Sequence, residues 1–180
     1  MSKWREDLES WLGTLDISGT VLDVGGAQKP IKGRTGSWYA TAYDIWDIEN
    51  FGKSFVTKGR VDGPIPSTLF PADNVFCLET LMYTIDPVRA LMNLATLTKR
   101  DLYISNPLEG YPETKPKGTD MLRLMPNWFE HVLKDSLFEI VELKIAYAHD
   151  AEWGMVATMN EGYKIARPQA SGILIHARRV

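Results

Sequence analysis

The stretch Thr20-Val-Leu-Asp-Val-Gly-Gly26 reads as a strand that ends in two glycines. Its apolar run contains β-branched residues at both ends, which is typical of a strand covered on both faces of a sheet. Gly25 and Gly26 then predict a sharp turn, because glycine adopts positive φ and lets a ligand approach the backbone amides. Ligands of open α/β sheets bind beyond the carboxyl ends of the strands, so this turn is a candidate nucleotide site.

The role of Asp23, next to the end of this strand, stays open at the level of sequence. Its carboxylate could orient the glycine turn, or it could bind a cationic group of a ligand. The alternative for the whole stretch is an ordinary strand followed by a Gly-Gly turn that binds nothing.

Length and composition limit the possible classes of protein. A chain of 180 residues is long enough to enclose a core, and we expect residues 1–180 to form a single domain. The formal net charge of -3 gives no basic surface for nucleic acid. The single cysteine, Cys77, rules out an internal disulfide and fits a reducing compartment. No apolar run of signal type or membrane-spanning length is present, so we expect a cytoplasmic location and no membrane partner.

The first segment, residues 1–16, carries apolar side chains at spacings of three and four. This pattern predicts an amphipathic helix whose apolar stripe docks on the sheet. Trp4 and Trp11 belong to the stripe and could instead roof a ligand cleft.

Strands alternate with helices along the rest of the chain, which predicts an α/β fold with a mostly parallel sheet. Asp86 and Pro87 open a helix that ends near residue 98, and Pro126 opens another over 127–136. Further strands are predicted at 38–43, 54–57, 74–81, 101–105, 138–146 and 172–178. The segments 108–119 and 149–170 are expected to be irregular covers over a cleft.

Acidic residues near the ends of the predicted strands are candidates for nucleotide binding. Asp44 follows the second strand, about twenty residues beyond the glycine turn, where such sheets bind ribose hydroxyls. A carboxylate offers only acceptors, and a vicinal diol offers two donors. Asp44 could equally be a solvated acid, and Asp47 and Glu49 are rivals in the same stretch, although spacing favours Asp44. Asp62 could accept from a base amino group or close a turn.

The order of these motifs resembles class I S-adenosylmethionine-dependent methyltransferases, in particular the compact group with the general small-molecule methyltransferase domain. Residues 21–26 resemble the first motif of that family, and Tyr43-Asp44-Ile45 resembles its acidic second strand end. Residues 74–91 are similar to the fourth strand with its following helix, and residues 120–129 to the segment after the fifth strand. The resemblance implies a three-layer α/β sandwich around a mostly parallel, seven-stranded Rossmann-like methyltransferase sheet with an antiparallel last strand.

The resemblance also implies S-adenosylmethionine as cofactor, a small molecule as methyl acceptor, and no metal. It implies cofactor contacts at the following positions: the methionine part at Gly25 and Gly26, the ribose at Asp44, the adenine at Ile45 and Asp62, and the sulfonium at Cys77 and Leu78. Asp23, in the first motif, completes the candidate cofactor-binding set.

Methyl transfer is an in-line displacement, so the protein mainly holds donor and acceptor close and aligned. A general base helps only if the acceptor must lose a proton. Glu79, Tyr83, His131 and His149 are the candidate catalytic residues, and each could instead be structural.

The chain departs from the family pattern after the first strand. Ala27 and Lys29 stand where two further glycines are usual, and Pro30, Gly33 and Gly36 leave little room for a helix. Lys29 could meet the cofactor carboxylate or obstruct the site. The main alternative function is a non-catalytic methyltransferase-like binding or scaffold protein with a degenerate cofactor loop. A nicotinamide dehydrogenase is disfavoured, because its third glycine would fall at this point.

Overall fold

The computed structural model describes residues 3–108, 122–147, 154–157, 164–167 and 170–180. The helices in this part of the chain are α1 (Lys3–Leu12), α2 (Pro87–Leu97) and α3 (Pro126–Asp135), with a single 3-10 turn at Leu81–Tyr83. The strands are β1 (Asp16–Val24), β2 (Ser37–Asp47), β3 (Val56–Lys58), β4 (Ala72–Leu78), β5 (Thr98–Pro107), β6 (Phe138–Tyr147), β7 (Gly154–Ala157), β8 (Lys164–Arg167) and β9 (Ala170–Arg179).

Seven strands form one sheet in the order β3-β2-β1-β4-β5-β9-β6. The pairs β2–β3, β1–β2, β1–β4 and β4–β5 are parallel, whereas β9 runs antiparallel to both of its neighbours, β5 and β6. The chain moves outward from β1 to β2 and β3, and then returns to place β4 on the other side of β1. This reversal of strand order is the position at which open α/β sheets bind ligands. The predicted mostly parallel, seven-stranded sheet with an antiparallel last strand is confirmed.

Helices cover the two faces of the sheet unequally. The face formed by Leu22, Val75 and their neighbours packs against α2 and α3. The opposite face, which includes Val21 and Phe76, packs against α1. Successive residues of a strand point to opposite faces, so these alternating contacts give a three-layer sandwich. The predicted docking of the first helix on the sheet is confirmed, since its apolar residues Trp4, Leu8, Trp11 and Leu12 are all buried.

Several element boundaries differ from the predicted ones. The first helix ends at Leu12 rather than near residue 16, because β1 already begins at Asp16. The second strand does not end before Asp44: Ile45 and Trp46 continue its ladder with β1, and Asp47 pairs with β3. The prediction that 149–170 is irregular is also wrong in part, because β7 and β8 form an antiparallel pair there. The cover predicted at 108–119 lies almost wholly outside the described residues.

The connection between β1 and β2, residues 25–36, contains no helix. This agrees with the sequence, in which proline and glycine interrupt every stretch long enough for one. Among the described residues, no helix is long and apolar enough to cross a membrane.

The docking of α1 depends on a glycine in the last strand. A Cβ at Gly172 would lie 2.1–2.4 Å from ring atoms of Trp4, which is itself buried and donates its indole N–H to Glu79 at 2.7 Å. The ring cannot move away without losing this hydrogen bond. Glycine at position 172 therefore lets the first helix reach the sheet.

We predict that Gly172→Ala lowers the free energy of unfolding by about 1–3 kcal/mol, the usual cost of overpacking a core. Gly13→Ala is the matched control, because a Cβ there would meet carbonyl oxygens at an ordinary 3.4 Å. It should change stability by less than about 0.5 kcal/mol. Urea denaturation followed by circular dichroism measures both, and equal effects of the two substitutions would contradict the packing argument.

Candidate functional site

A cavity of about 360 Å3 lies beyond the carboxyl ends of β1, β2 and β4, at the reversal of strand order. Its volume lies within the range of about 300–1,000 Å3 found for small-molecule sites. The lining residues come from α1, from the turns after these strands and from the segment after β3: 5, 23–26, 28, 29, 34, 46–48, 51, 59–62, 78–80 and 82–84.

The glycine turn brings the ends of β1 and β4 together. Gly25 has a φ of 79°, and its N–H donates to the carbonyl of Trp46 at 2.8 Å. A Cβ at Gly25 would lie 2.0 Å from Oγ1 of Thr80. That hydroxyl lies 3.2 Å from the carbonyl oxygen of Val24. Gly25 is therefore required both by its backbone conformation and by the close contact between the two strand ends.

Asp23 holds the loop that follows the turn. Its Oδ2 accepts hydrogen bonds from the N–H of Ile31 at 2.8 Å and from the hydroxyl of Tyr43 at 2.7 Å. A Cβ at Gly26 would lie 2.1 Å from this carboxyl group, so Gly26 makes room for it. Burial raises the pKa of Asp23 to about 6, although the two hydrogen bonds oppose the rise. These contacts support the interpretation in which Asp23 orients the turn.

The acid at the end of β2 is Asp47. Its Oδ2 accepts from the N–H of Ala27 at 3.0 Å, Oδ1 accepts from the N–H of Glu49 at 3.3 Å, and the residue lines the cavity. Asp44 is exposed three residues earlier in the strand and does not line the cavity. The prediction that Asp44 occupies the strand end is therefore wrong, because the strand continues to its rival Asp47.

The same shift moves the neighbouring apolar residue. Ile45 is fully buried against Ala27 and Val56, and it does not line the cavity. Ile48, which follows Asp47, is 57% exposed and does line it. The predicted contact of Ile45 with adenine is thus excluded by its position in the core.

Of the two residues predicted at the end of β4, Leu78 lines the cavity and Cys77 does not. Cys77 is fully buried in the core that packs against α2, and burial raises the pKa of its thiol. A direct contact between Cys77 and a ligand in the cavity is therefore excluded.

Asp62 lies in the cavity wall and is held by several donors. Arg60 binds it through Nε and Nη2, both at 2.9 Å, and the N–H of Ile85 donates to its Oδ2 at 2.8 Å. Burial raises the pKa of Asp62, but these hydrogen bonds outweigh burial and lower the pKa to about 2. Asp62 thus connects the segment after β3 to the start of α2, and it still lines the cavity.

The four candidate catalytic residues have different positions. Glu79 lines the cavity with a φ of 50°, and its carboxylate accepts from Trp4 Nε1 at 2.7 Å and pairs with Arg5 at 3.0 Å. Tyr83 also lines the cavity. His131 is exposed on α3 and does not line it, so the structure removes His131 from the site. His149 lies outside the described residues.

Lys29 does not fill the cavity, although it lines it. Its ammonium group pairs with Glu9 of α1. Arg34 binds the same carboxylate through Nη2 at 2.8 Å and Nε at 3.1 Å. A third cation in the lining, Arg5, comes from the same helix as Glu9.

Several residues of the cavity wall carry no clear signal in the sequence. Asp47 is the rival of Asp44 named above, and a signal for Ile48 was present too, because the dipeptide Asp-Ile occurs twice within this strand and its end, at 44–45 and again at 47–48. The pairing of Glu9 with Arg34 joins residues 25 positions apart and leaves no local pattern. Within the described residues, no group of three His, Cys, Asp or Glu side chains could hold a metal ion.

Comparisons with known proteins show what this fold is similar to. No protein-family profile and no curated protein sequence matches the chain. A methyltransferase of known structure from Archaeoglobus fulgidus, dependent on S-adenosylmethionine, superposes with a TM-score of 0.65 at 14% identity, covering 98% of this chain and 93% of that one. A Haloferax volcanii putative methyltransferase in complex with the Trm112 activator gives 0.64 at 14% identity, with coverages of 98% and 89%.

A third similar structure was solved with a bound ligand. The magnesium protoporphyrin IX methyltransferase of Synechocystis, which contains S-adenosylhomocysteine, gives a TM-score of 0.55 at 14% identity and covers 97% of this chain and 81% of that one. At such identities the likeness establishes the fold. The chain has the Rossmann-like fold of class I S-adenosylmethionine-dependent methyltransferases.

The raised pKa of Asp23 predicts a pH dependence of stability. Between about pH 4 and pH 6 the native state binds more protons at Asp23 than the unfolded state, so this residue's contribution to stability falls as the pH rises. Asp23→Asn lacks this titration. Its free energy of unfolding should therefore rise relative to the wild type by about 2–3 kcal/mol across this interval and stay level above pH 7.

Urea denaturation of both proteins from pH 4 to pH 7.5 measures this difference. Tyr43→Phe is an internal check, because it removes a hydrogen bond that lowers the pKa of Asp23 and should shift the interval to higher pH. A difference between Asp23→Asn and wild type that stays constant with pH would show that Asp23 titrates as it does in the unfolded chain.

Proposed function

We propose that this chain binds S-adenosylmethionine in the cavity and transfers its methyl group to a small-molecule acceptor. The observation that carries the proposal is that one cavity, at the reversal of strand order, is lined both by the glycine turn after β1 and by Asp47 at the end of β2. The ribose hydroxyls of the cofactor need hydrogen-bond acceptors, which the carboxylate of Asp47 supplies. Its methionine part needs backbone that no side chain covers, which the glycine turn supplies.

The described residues fit such a cofactor. The volume suits a ligand of this size, and Lys29, which could have obstructed the cavity, is paired with Glu9 instead. Asp47 is fixed by the amides of Ala27 and Glu49, so its carboxylate is held in place before a ligand binds. Such preorganisation reduces the entropy that binding must offset.

The residue roles in this proposal are assigned from the end of β2 at Asp47 rather than at Asp44. Asp47 accepts from the ribose hydroxyls, and Ile48 contacts the adenine ring. Asp62 accepts from the adenine amino group through Oδ1, which receives one described hydrogen bond, from Arg60 Nε. Its Oδ2 already receives three, from Arg60 Nη2 and from the N–H groups of residues 85 and 86. Gly25 and Gly26 flank the methionine part, and Leu78 lies beside the sulfonium.

Bound S-adenosylmethionine supplies an electrophilic methyl group whose bonding electrons return to sulfur when an acceptor attacks. The chain's own task is to hold the two reactants in line and to exclude water. Glu79 is an unsuitable base in the described arrangement, since both of its carboxylate oxygens are bound by α1. Among the described residues, Tyr83, which lines the cavity, is the candidate that remains for an acceptor that must lose a proton.

A non-catalytic binding protein is the second candidate function. Ala27 and Lys29, in place of the glycines usual in the resembling family, favour it. Both functions share the fold, and they differ in whether the cavity binds the cofactor. We propose a cytoplasmic location for the protein with either function.

Replacement of Asp47 tests the cofactor site. Asp47→Asn keeps an oxygen for the amide of Ala27 but presents donors to the ribose, and Asp47→Ala removes both acceptors. We predict that each weakens the binding of S-adenosylhomocysteine by about tenfold or more, as for the loss of a charge-assisted hydrogen bond. Isothermal titration calorimetry measures the dissociation constants.

Asp44→Ala is the matched control, because Asp44 is exposed on the same strand and outside the cavity. Its dissociation constant should stay within about twofold of wild type, well below the effect of a lost charged hydrogen bond. Weakened binding in the Asp44 variant alone would return the ribose role to that residue. If the wild type binds neither S-adenosylhomocysteine nor S-adenosylmethionine, the cofactor proposal fails and the non-catalytic function replaces it.

A further inference from the structure

The connection between β1 and β2 supplies side-chain cations where many nucleotide-binding sheets have a helix. A helix at this point presents free backbone N–H groups and the positive end of its dipole to the ligand. Residues 25–36 form no helix here. They contribute Lys29 and Arg34 to the cavity lining instead.

Glu9 of α1 fixes the position of Arg34. The guanidinium group donates to the Glu9 carboxylate through Nε at 3.1 Å and Nη2 at 2.8 Å, and its Nη1 donates to the carbonyl of Lys29 at 3.1 Å. The Arg34 side chain is only 13% exposed, and Glu9 itself does not line the cavity. Glu9 therefore lies behind the guanidinium group and holds it against the cavity wall.

The charges in this cluster are not balanced by Glu9. Its single carboxylate pairs with both Lys29 and Arg34, so it neutralises only one of the two. Asp23, near the end of β1, is close enough for the charge of Arg34 to lower its pKa, but its hydrogen bonds are made with the N–H of Ile31 and the hydroxyl of Tyr43. The wall beside the glycine turn thus suits an anionic group on a ligand.

We propose that Arg34, positioned by Glu9 and assisted by Lys29, binds the carboxylate at the amino-acid end of the adenosyl cofactor. This inference rests on the proposed function, and it adds the residues by which this chain selects a cofactor that carries an amino acid. Lys29 and Arg34 of the loop then replace the missing helix as the source of positive charge, and Glu9 of α1 positions them. The Nε and Nη2 edge of Arg34 is occupied by Glu9, and the described contacts leave one N–H on Nη1 and one on Nη2. A guanidinium group held in one orientation can donate these two N–H groups to a ligand carboxylate.

A pair of ligands isolates this contact. S-adenosylhomocysteine carries the amino-acid end, whereas 5′-methylthioadenosine has the same adenosine and thioether without it. We expect Arg34→Gln to weaken S-adenosylhomocysteine by about tenfold or more and to leave 5′-methylthioadenosine within about twofold. Arg34→Lys should restore part of the loss, and Glu9→Gln should produce a smaller loss for S-adenosylhomocysteine only.

Arg60→Gln is the control, since Arg60 also lines the cavity but pairs with Asp62 rather than with Glu9. It should change the binding of both ligands by the same factor. An equal loss of both ligands in Arg34→Gln would show that Arg34 only supports the loop, and no loss of either would remove it from the site; both results overturn the inference. Wild type that binds neither ligand would instead overturn the proposed function.

Discussion

The site depends on the contact between the ends of two parallel strands, β1 and β4. Thr80 lies so close to Gly25 that no side chain fits at that position, and its hydroxyl lies within hydrogen-bonding distance of the carbonyls of both Val24 and Leu78. With these ends fixed, the loop after β1 must turn away over β2, where Gly25 bonds to Trp46. The cavity is the space that this turn leaves beyond the sheet.

The first helix connects the two sides of that space. Near its start, Trp4 and Arg5 bind Glu79 at the end of β4, and one turn later Glu9 binds Lys29 and Arg34 in the loop after β1. Residues four apart lie on the same face of a helix, so one face makes both contacts. Of the described helices, α1 is the one that packs on this face of the sheet, where Ile31 of the loop joins the same buried cluster. The site is therefore coupled to the docking of α1.

Much of the fold could be predicted from the sequence because its signals are local. The glycines after β1 and the Asp-Pro start of α2 each require a particular backbone conformation at their own position. The end of β2 could not be placed in the same way. Trp38 to Asp44 alternates only partly, and the buried pair Ile45 and Trp46 marks the part of the strand that the core covers. A strand ends where its ladder ends, and the ladder here is set by β1 and β3.

The polar contacts of the site were beyond prediction for a different reason. The residues that form them are far apart in sequence: 75 positions separate Trp4 from Glu79, and 25 separate Glu9 from Arg34. The packing of α1 on the sheet determines which of these residues meet. The apolar periodicity of the sequence predicts that one stripe of this helix is buried, but not which polar residues it brings together.

This distinction explains how Lys29 is compatible with a binding site. Judged by its position in the motif, a lysine in place of a glycine blocks the approach of a ligand to the backbone. In the folded chain Glu9 draws the ammonium group toward α1, and the loop gains a positive charge without filling the cavity. A substitution in the loop and an acid in the helix therefore act together. Lys29 alone would suggest a blocked cavity, and Glu9 alone gives no sign of a binding site. When the two are considered together, the lysine in place of a glycine is no longer evidence against binding.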